Sequence, residues 1–245
     1  SHLWLNEGFA TYYTHLYEGH KEGRDEFLHG MYQAAKGFMS TPNDTNAIVR
    51  RNFNSPEEQF GFHAYPKGAW VLHMLRHELG DDLYRRCIKT HLERHAFGNA
   101  TTEDLNKIIE ESSGRSFDQF FDQYVYHAHQ PELGVTYSWD ERGKLAKLTV
   151  TQNQKLSDDV LLFNVPLTVR FIGKSGSVDR RLRVKEKTGD FYFPLAEQPG
   201  IVRLDPDLAL LAKISFTPTT AMLSAQLADK KDMLGRLHAV EQLSG

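Results

Sequence analysis

The stretch Trp4-Leu5-Asn6-Glu7-Gly8-Phe9-Ala10-Thr11-Tyr12-Tyr13 sets a helical period from the start of the chain. Phe9, Tyr12, Tyr13 and Leu16 recur at steps of one helical turn, the spacing that lines one face of a helix with apolar groups. The period predicts a helix from Glu7 to Glu18, ended by Gly19 and Gly23. Glu7 falls in its first turn. A carboxylate there complements the positive end of the helix dipole and needs no further role. The same carboxylate is also an oxygen donor of the kind that ligates a metal ion.

Outward from this stretch the helical period continues to about residue 132. Arg24 to Phe38 predicts a second helix, with Phe27, Met31, Ala34 and Ala35 on one face. Residues 39–61 carry Pro42, Asn43, Asp44, Asn46, Asn54, Pro56 and Gly61 and read as a long loop, a feature that is often functional inside a compact domain. Tyr65 to Glu78 predicts a third helix with the stripe Trp70, Val71, Met74 and Leu75, stopped by Gly80. Asp81 to Arg94 predicts a fourth. Thr101 or Thr102 can cap a fifth, with acidic residues in its first turn and Ser113-Gly114 at its end. Ser116 to Tyr126 predicts a sixth, and Pro131 stops the helical region.

Near residue 133 the period changes to two. Val135, Tyr137 and Trp139 alternate, and so do Val165, Leu167, Val169 and Phe171, with turn residues between the runs. Short strands at this spacing predict a small all-β sandwich. From Pro218 a helical stripe returns with Leu223, Leu227, Leu234, Leu237, Val240 and Leu243. The expected fold class is therefore multidomain α + β, with boundaries at 1–132, 133–216 and 217–245.

Composition narrows the partners. Net charge is −3 with mixed signs, so neither nucleic acid nor an anionic membrane has an electrostatic footprint here. No apolar run reaches the roughly 18 residues of a membrane span. The single cysteine, Cys87, forbids an intrachain disulfide and sits on an apolar helix face, where an inert buried thiol is expected; the cytoplasm is the default compartment. Asn43-Asp44-Thr45 and Asn99-Ala100-Thr101 match a glycosylation sequon that also arises by chance. His73 and His77, and His91 and His95, have metal-compatible spacing, but a packed or surface role is the expected one. The same holds for Arg180-Arg181-Leu182-Arg183, read as a solvated strand face. The chain starts mid-pattern, without an initiator Met, and reads as a piece of a larger protein.

Trp4-Leu5-Asn6-Glu7-Gly8-Phe9-Ala10 resembles the segment of the M1-family zinc aminopeptidases, the gluzincins, that carries the third zinc ligand. Tyr65-Pro66-Lys67-Gly68-Ala69 resembles that family's catalytic-tyrosine helix. Thr101-Thr102-Glu103-Asp104-Leu105, Ser113-Gly114-Arg115 and Phe120-Phe121-Asp122-Gln123-Tyr124-Val125 match further landmarks in order. The resemblance covers essentially the whole chain. It implies the helical half of a thermolysin-like catalytic domain, then a β-sandwich, then the start of a HEAT-like α-helical domain. It also implies a zinc-dependent exopeptidase that removes N-terminal residues from peptides with a free N-terminus. Glu7 would be a Zn2+ ligand. Tyr65 would donate its phenol proton toward the oxyanion of the tetrahedral intermediate. Gly68 and Ala69 would permit close helix approach beneath the site, Lys67 would serve as structural support or stand exposed, and Phe62 and His63 would be candidates for a substrate pocket.

Departures from the pattern matter as much. No His-Glu-x-x-His motif, source of two zinc ligands and the general base, occurs in these residues. His77-Glu78-Leu79-Gly80-Asp81 begins like one and fails at its last position. The Gly-x-Met-Glu-Asn segment that anchors the substrate amine is absent too. The 245-residue chain is thus expected to be inactive alone and to hold zinc weakly or not at all. Two alternatives stand beside the peptidase reading: a catalytically dead M1-like scaffold, and a bifunctional hydrolase acting on epoxides as well as peptides.

Overall fold

The computed structural model describes residues 2–40, 46–50 and 52–244. The chain divides into two compact units, Ser1–Gln130 with Ser157–Leu161, and Pro131–Leu156 with Leu162–Gly245. Among the described residues, no helix is long and apolar enough to cross a membrane. The sequon at Asn43-Asp44-Thr45 lies outside the described residues.

The first unit is helical. Helix α1 spans Trp4–Glu22, α2 Arg24–Met39, α3 Gly68–Leu79, α4 Asp81–Arg94, α5 Thr102–Ser113 and α6 Asp118–Phe121. A short 3-10 turn at Pro56–Gln59 and two π turns, His63–Lys67 and Asp122–Tyr126, complete it. Its core takes Trp4 and Tyr12 from α1, Met31 and Phe38 from α2, and Trp70, Leu72 and Leu75 from α3, all buried; of the face predicted for α1 only Tyr12 is buried, and Tyr13 is 43% exposed. Two polar contacts tie this core together, as burial of polar groups favours. The Trp70 indole N–H donates to the Met31 carbonyl at 3.1 Å, and the Tyr12 hydroxyl meets His73 Nδ1 at 3.1 Å.

Three predicted helices differ in extent. Helix α1 starts at Trp4 rather than Glu7 and runs on to Glu22. The Trp4 indole, buried and bonded to Thr102 Oγ1 at 2.9 Å, fixes the extra N-terminal residues against α5. The third predicted helix divides at Gly68 into a π turn and α3. The sixth divides at Asp122 in the same way. Helix α5 keeps its predicted ends: Thr101 and Asp104 form a reciprocal capping box, and Gly114 closes the helix at φ 67°.

The second unit carries strands β1 Glu132–Asp140, β2 Leu145–Gln152, β3 Val165–Gly173, β4 Gly176–Val184, β5 Thr188–Pro194, β6 Ile201–Leu204 and β7 Lys213–Phe216. They form a four-stranded sheet, β5-β2-β1-β7, and a three-stranded sheet, β4-β3-β6. All pairings are antiparallel except β1 with β7, which is parallel. Alternation sets the buried face: Ala146, Leu148 and Val150 of β2 point inward, as do Val165, Leu167, Val169 and Phe171 of β3. Phe171 and Phe193 join the two sheets with ring centroids 5.6 Å apart. Helices α7 Thr220–Ala228 and α8 Met233–Ser244 belong to this unit as well. The nearly buried Arg203 of β6 pairs with Asp232 at 2.6 Å, and Asp232 also accepts the Gly235 N–H at the start of α8.

Candidate functional site

Helix α1 is held at its first turn by α5. Thr102 donates its backbone N–H to His2 Nδ1 at 3.0 Å, and its hydroxyl receives the Trp4 indole. These contacts place Glu7 one turn in, half-buried, with its carbonyl accepting from the Thr11 hydroxyl at 2.8 Å.

Tyr65 reaches the same place from another element. Its π turn has a chemical cause in Pro66. A proline has no N–H to give to the carbonyl four residues back. The Phe62 carbonyl therefore receives Lys67 N–H instead, at 3.0 Å, one residue later than in an α-helix. Upstream, Tyr65 N–H bonds to the Gly61 carbonyl at 3.1 Å. The chain then passes into regular α3 at Gly68.

Close backbone approach brings the two together. At Gly8, an added Cβ would lie 2.8 Å from the Gly68 carbonyl carbon; at Gly68, it would lie 3.1 Å from Gly8 Cα. Any side chain at either position would force α1 and α3 apart. Gly8 follows Glu7 directly, and Gly68 lies three residues after Tyr65, so the contact fixes the separation of their side chains. The Tyr65 phenol lies beside the Glu7 carboxylate. Desolvation, and then the proximity and charge of Glu7, raise the Tyr65 pKa above its ordinary value of 10.0. The phenol is thus a proton-bearing donor at neutral pH. The expected close approach at Gly68 is present, and Glu7 and Tyr65 sit side by side, both partly open to solvent.

Lys67 is not exposed: only 1% of it reaches solvent, and its ammonium lies 5.6 Å from the centroid of the Phe38 ring. Phe62 is 54% exposed, whereas His63 turns edge-on to Phe38 at 5.8 Å. His73 is packed against Tyr12 and Trp70, while His77 is exposed. His91 is buried and stacks on Phe9, with His95 at 5.1 Å. Burial lowers the His91 pKa, which keeps the ring neutral. Cys87 is buried, and desolvation pushes its thiol pKa up. The partners missed by sequence reasoning are Phe38 and the buried ammonium of Lys67. The signal for the first was its place on the apolar face of α2; nothing local marks the second.

Among the described residues, no group of three or more His, Cys, Asp or Glu side chains is placed to hold a metal ion. A catalytic zinc takes three protein ligands. Glu7 offers one carboxylate, so these residues do not by themselves form such a centre.

The model for the peptidase family M1 domain matches residues 1–124. Aminopeptidase M1-A of Oryza sativa subsp. japonica is 27% identical over 98% of the chain, which spans 29% of that protein. The puromycin-sensitive aminopeptidase of Caenorhabditis elegans is 24% identical over 99% of the chain, which spans 27% of it. The chain thus covers less than a third of the length of these relatives. The fold is similar to that of Legionella pneumophila aminopeptidase A, solved in complex with aspartic acid: the TM-score is 0.77 at 19% identity, over 99% of this chain and 27% of that one. The motif segments of Glu7 and Tyr65 both fall inside the matched region, and the chain belongs to peptidase family M1.

Proposed function

We propose that this chain is part of a zinc-dependent aminopeptidase that hydrolyses the first peptide bond of peptides with a free N-terminus. The observation that carries the reading is the pairing of Glu7 and Tyr65 across the Gly8–Gly68 contact. Glu7 is assigned as one of three protein ligands to zinc, the other two lying outside these 245 residues. Bound zinc supplies the Lewis acid of the reaction. Tyr65 is assigned as the oxyanion donor. As a phenol it carries its proton at neutral pH, and the π turn at His63–Lys67 presents it beside Glu7. The helical residues 1–132 then form part of a thermolysin-like catalytic domain. Residues 133–216 form a β-sandwich domain, and residues 217–245 begin a HEAT-like helical domain.

The aminopeptidase names of the matched relatives support the reaction class. The test compares the 245-residue chain with the full-length protein on a panel of aminoacyl p-nitroanilides. The full-length protein is expected to release p-nitroaniline, to lose that activity to a chelator and to regain it with Zn2+. The isolated chain is expected to retain no zinc and to release none. Chelator-dependent hydrolysis by the isolated chain, or a full-length protein inert toward every substrate of the panel with zinc bound, would sink the proposal.

A further inference from the structure

Tyr65 is held from behind as well as from the side. Two residues either way along a helical turn point roughly opposite to the residue between them. For Tyr65 those residues are His63 and Lys67, and both close on one ring, that of Phe38 near the C-terminal end of α2. The His63 ring stands edge-on to it, with centroids 5.8 Å apart and planes at 87°. The Lys67 ammonium lies 5.6 Å from its centroid. Phe38 is 2% exposed and Lys67 1%, so the cation–ring contact is made away from water, while His63 is half-buried. Ring-edge and cation–ring contacts are directional and gain strength when desolvated.

The turn is less tied by its own backbone than a regular helix, because Pro66 leaves it one N–H short. Its front is fixed by the Gly8–Gly68 approach and by Glu7.

We propose that Phe38 is a positioning residue for Tyr65: gripped by His63 and Lys67, its ring fixes the π turn so that the phenol is aimed at the developing oxyanion. This rests on the assignment of Tyr65 as the oxyanion donor. Phe38 touches neither substrate nor metal and acts only through the turn.

The test is a double-mutant cycle in the full-length protein, on the best aminoacyl p-nitroanilide found above. Tyr65→Phe is expected to lower kcat by about 10²–10³-fold. Phe38→Leu is expected to lower kcat by about tenfold with KM unchanged, because a misplaced donor acts on the transition state alone. In the Tyr65→Phe background, Phe38→Leu should have almost no further effect, about twofold at most, as expected for residues acting as a unit. His63→Ala opens the other jaw with less disturbance of the core and should behave in the same way, with His63→Phe restoring the rate. Equal losses from Phe38→Leu and His63→Ala with and without Tyr65 would overturn the positioning role while leaving the oxyanion assignment intact. A Tyr65→Phe variant as fast as the parent protein would instead overturn the assignment on which the inference rests.

Discussion

Gly8 and Gly68 touch backbone to backbone, with less room between them than a single Cβ needs. This contact joins α1 to α3 next to Glu7, the residue before Gly8. It makes Gly8→Ala a costly substitution. Overpacking of this sort destabilises by about 1–3 kcal/mol. Gly37, inside α2, is the control. An added Cβ there meets nothing within 4 Å, so Gly37→Ala should stabilise by about 0.5–1 kcal/mol through helix propensity and reduced unfolded-state entropy. Urea unfolding of the two variants should move in opposite directions; a Gly8→Ala protein as stable as the parent would contradict the contact.

Arg203 and Asp232 form a mostly buried ion pair at 2.6 Å, and Asp232 also caps α8 through the Gly235 N–H. Removing one partner of a buried pair leaves the other charge uncompensated, at a cost of about 3–5 kcal/mol. Arg203→Ala is therefore expected to lower the unfolding midpoint strongly. Replacing both residues, as Arg203→Met with Asp232→Asn, should restore much of the loss, because the lone buried charge is gone. A double variant no more stable than Arg203→Ala would contradict this.

Asp205 lies within the second unit, and its two carboxylate oxygens accept the Ala209 and Leu210 N–H groups at 2.9 and 3.0 Å. Desolvation dominates over these bonds and raises its pKa from 3.8 to about 6. A carboxyl whose folded pKa exceeds its unfolded value favours the fold when protonated. Its contribution is fully present below pH 3.8 and is lost as pH rises through about 6. The shift corresponds to about 3 kcal/mol at most. Urea unfolding from pH 4 to pH 7.5, relative to Asp205→Asn at each pH, should show the parent protein losing ground as pH rises through about 6. Parallel profiles would contradict it.

Thr101 and Asp104 close the start of α5 by a reciprocal capping box. Thr101→Ala removes the hydroxyl that accepts the Asp104 N–H, and should cost about 1 kcal/mol. Thr101→Ser keeps that acceptor and should cost little. Thermal unfolding of the pair checks the cap; equal midpoints would exclude it.

Much of this was legible in the residues, for physical reasons. Apolar residues at helical spacing marked α1 to α3, and period-two alternation marked β1 and β3. Capping chemistry fixed both ends of α5 because Thr101 and Gly114 act locally. Gly68, in its motif, signalled the close approach now seen at Gly8. What escaped was set by tertiary contact. The early start of α1 depends on Thr102, far along the chain. The parallel partner β7 has only four residues, too few for its alternation to stand out. The π turn at Asp122–Tyr126 contains no proline and has no sequence mark. Pro66 marked the first π turn, yet a proline beside a helix start reads equally as a permitted first-turn residue. The burial of Lys67 follows from the position of Phe38, which no local pattern gives.

The most direct test of the account is zinc content measured alongside hydrolysis in the full-length protein and in its Glu7→Gln and Tyr65→Phe variants. The account predicts about one zinc per chain in the parent, as a single catalytic site requires. Glu7→Gln should lose the metal and the activity together. Tyr65→Phe should keep the metal while kcat falls by about 10²–10³-fold. A Glu7→Gln protein that retains both zinc and rate would contradict the central claim.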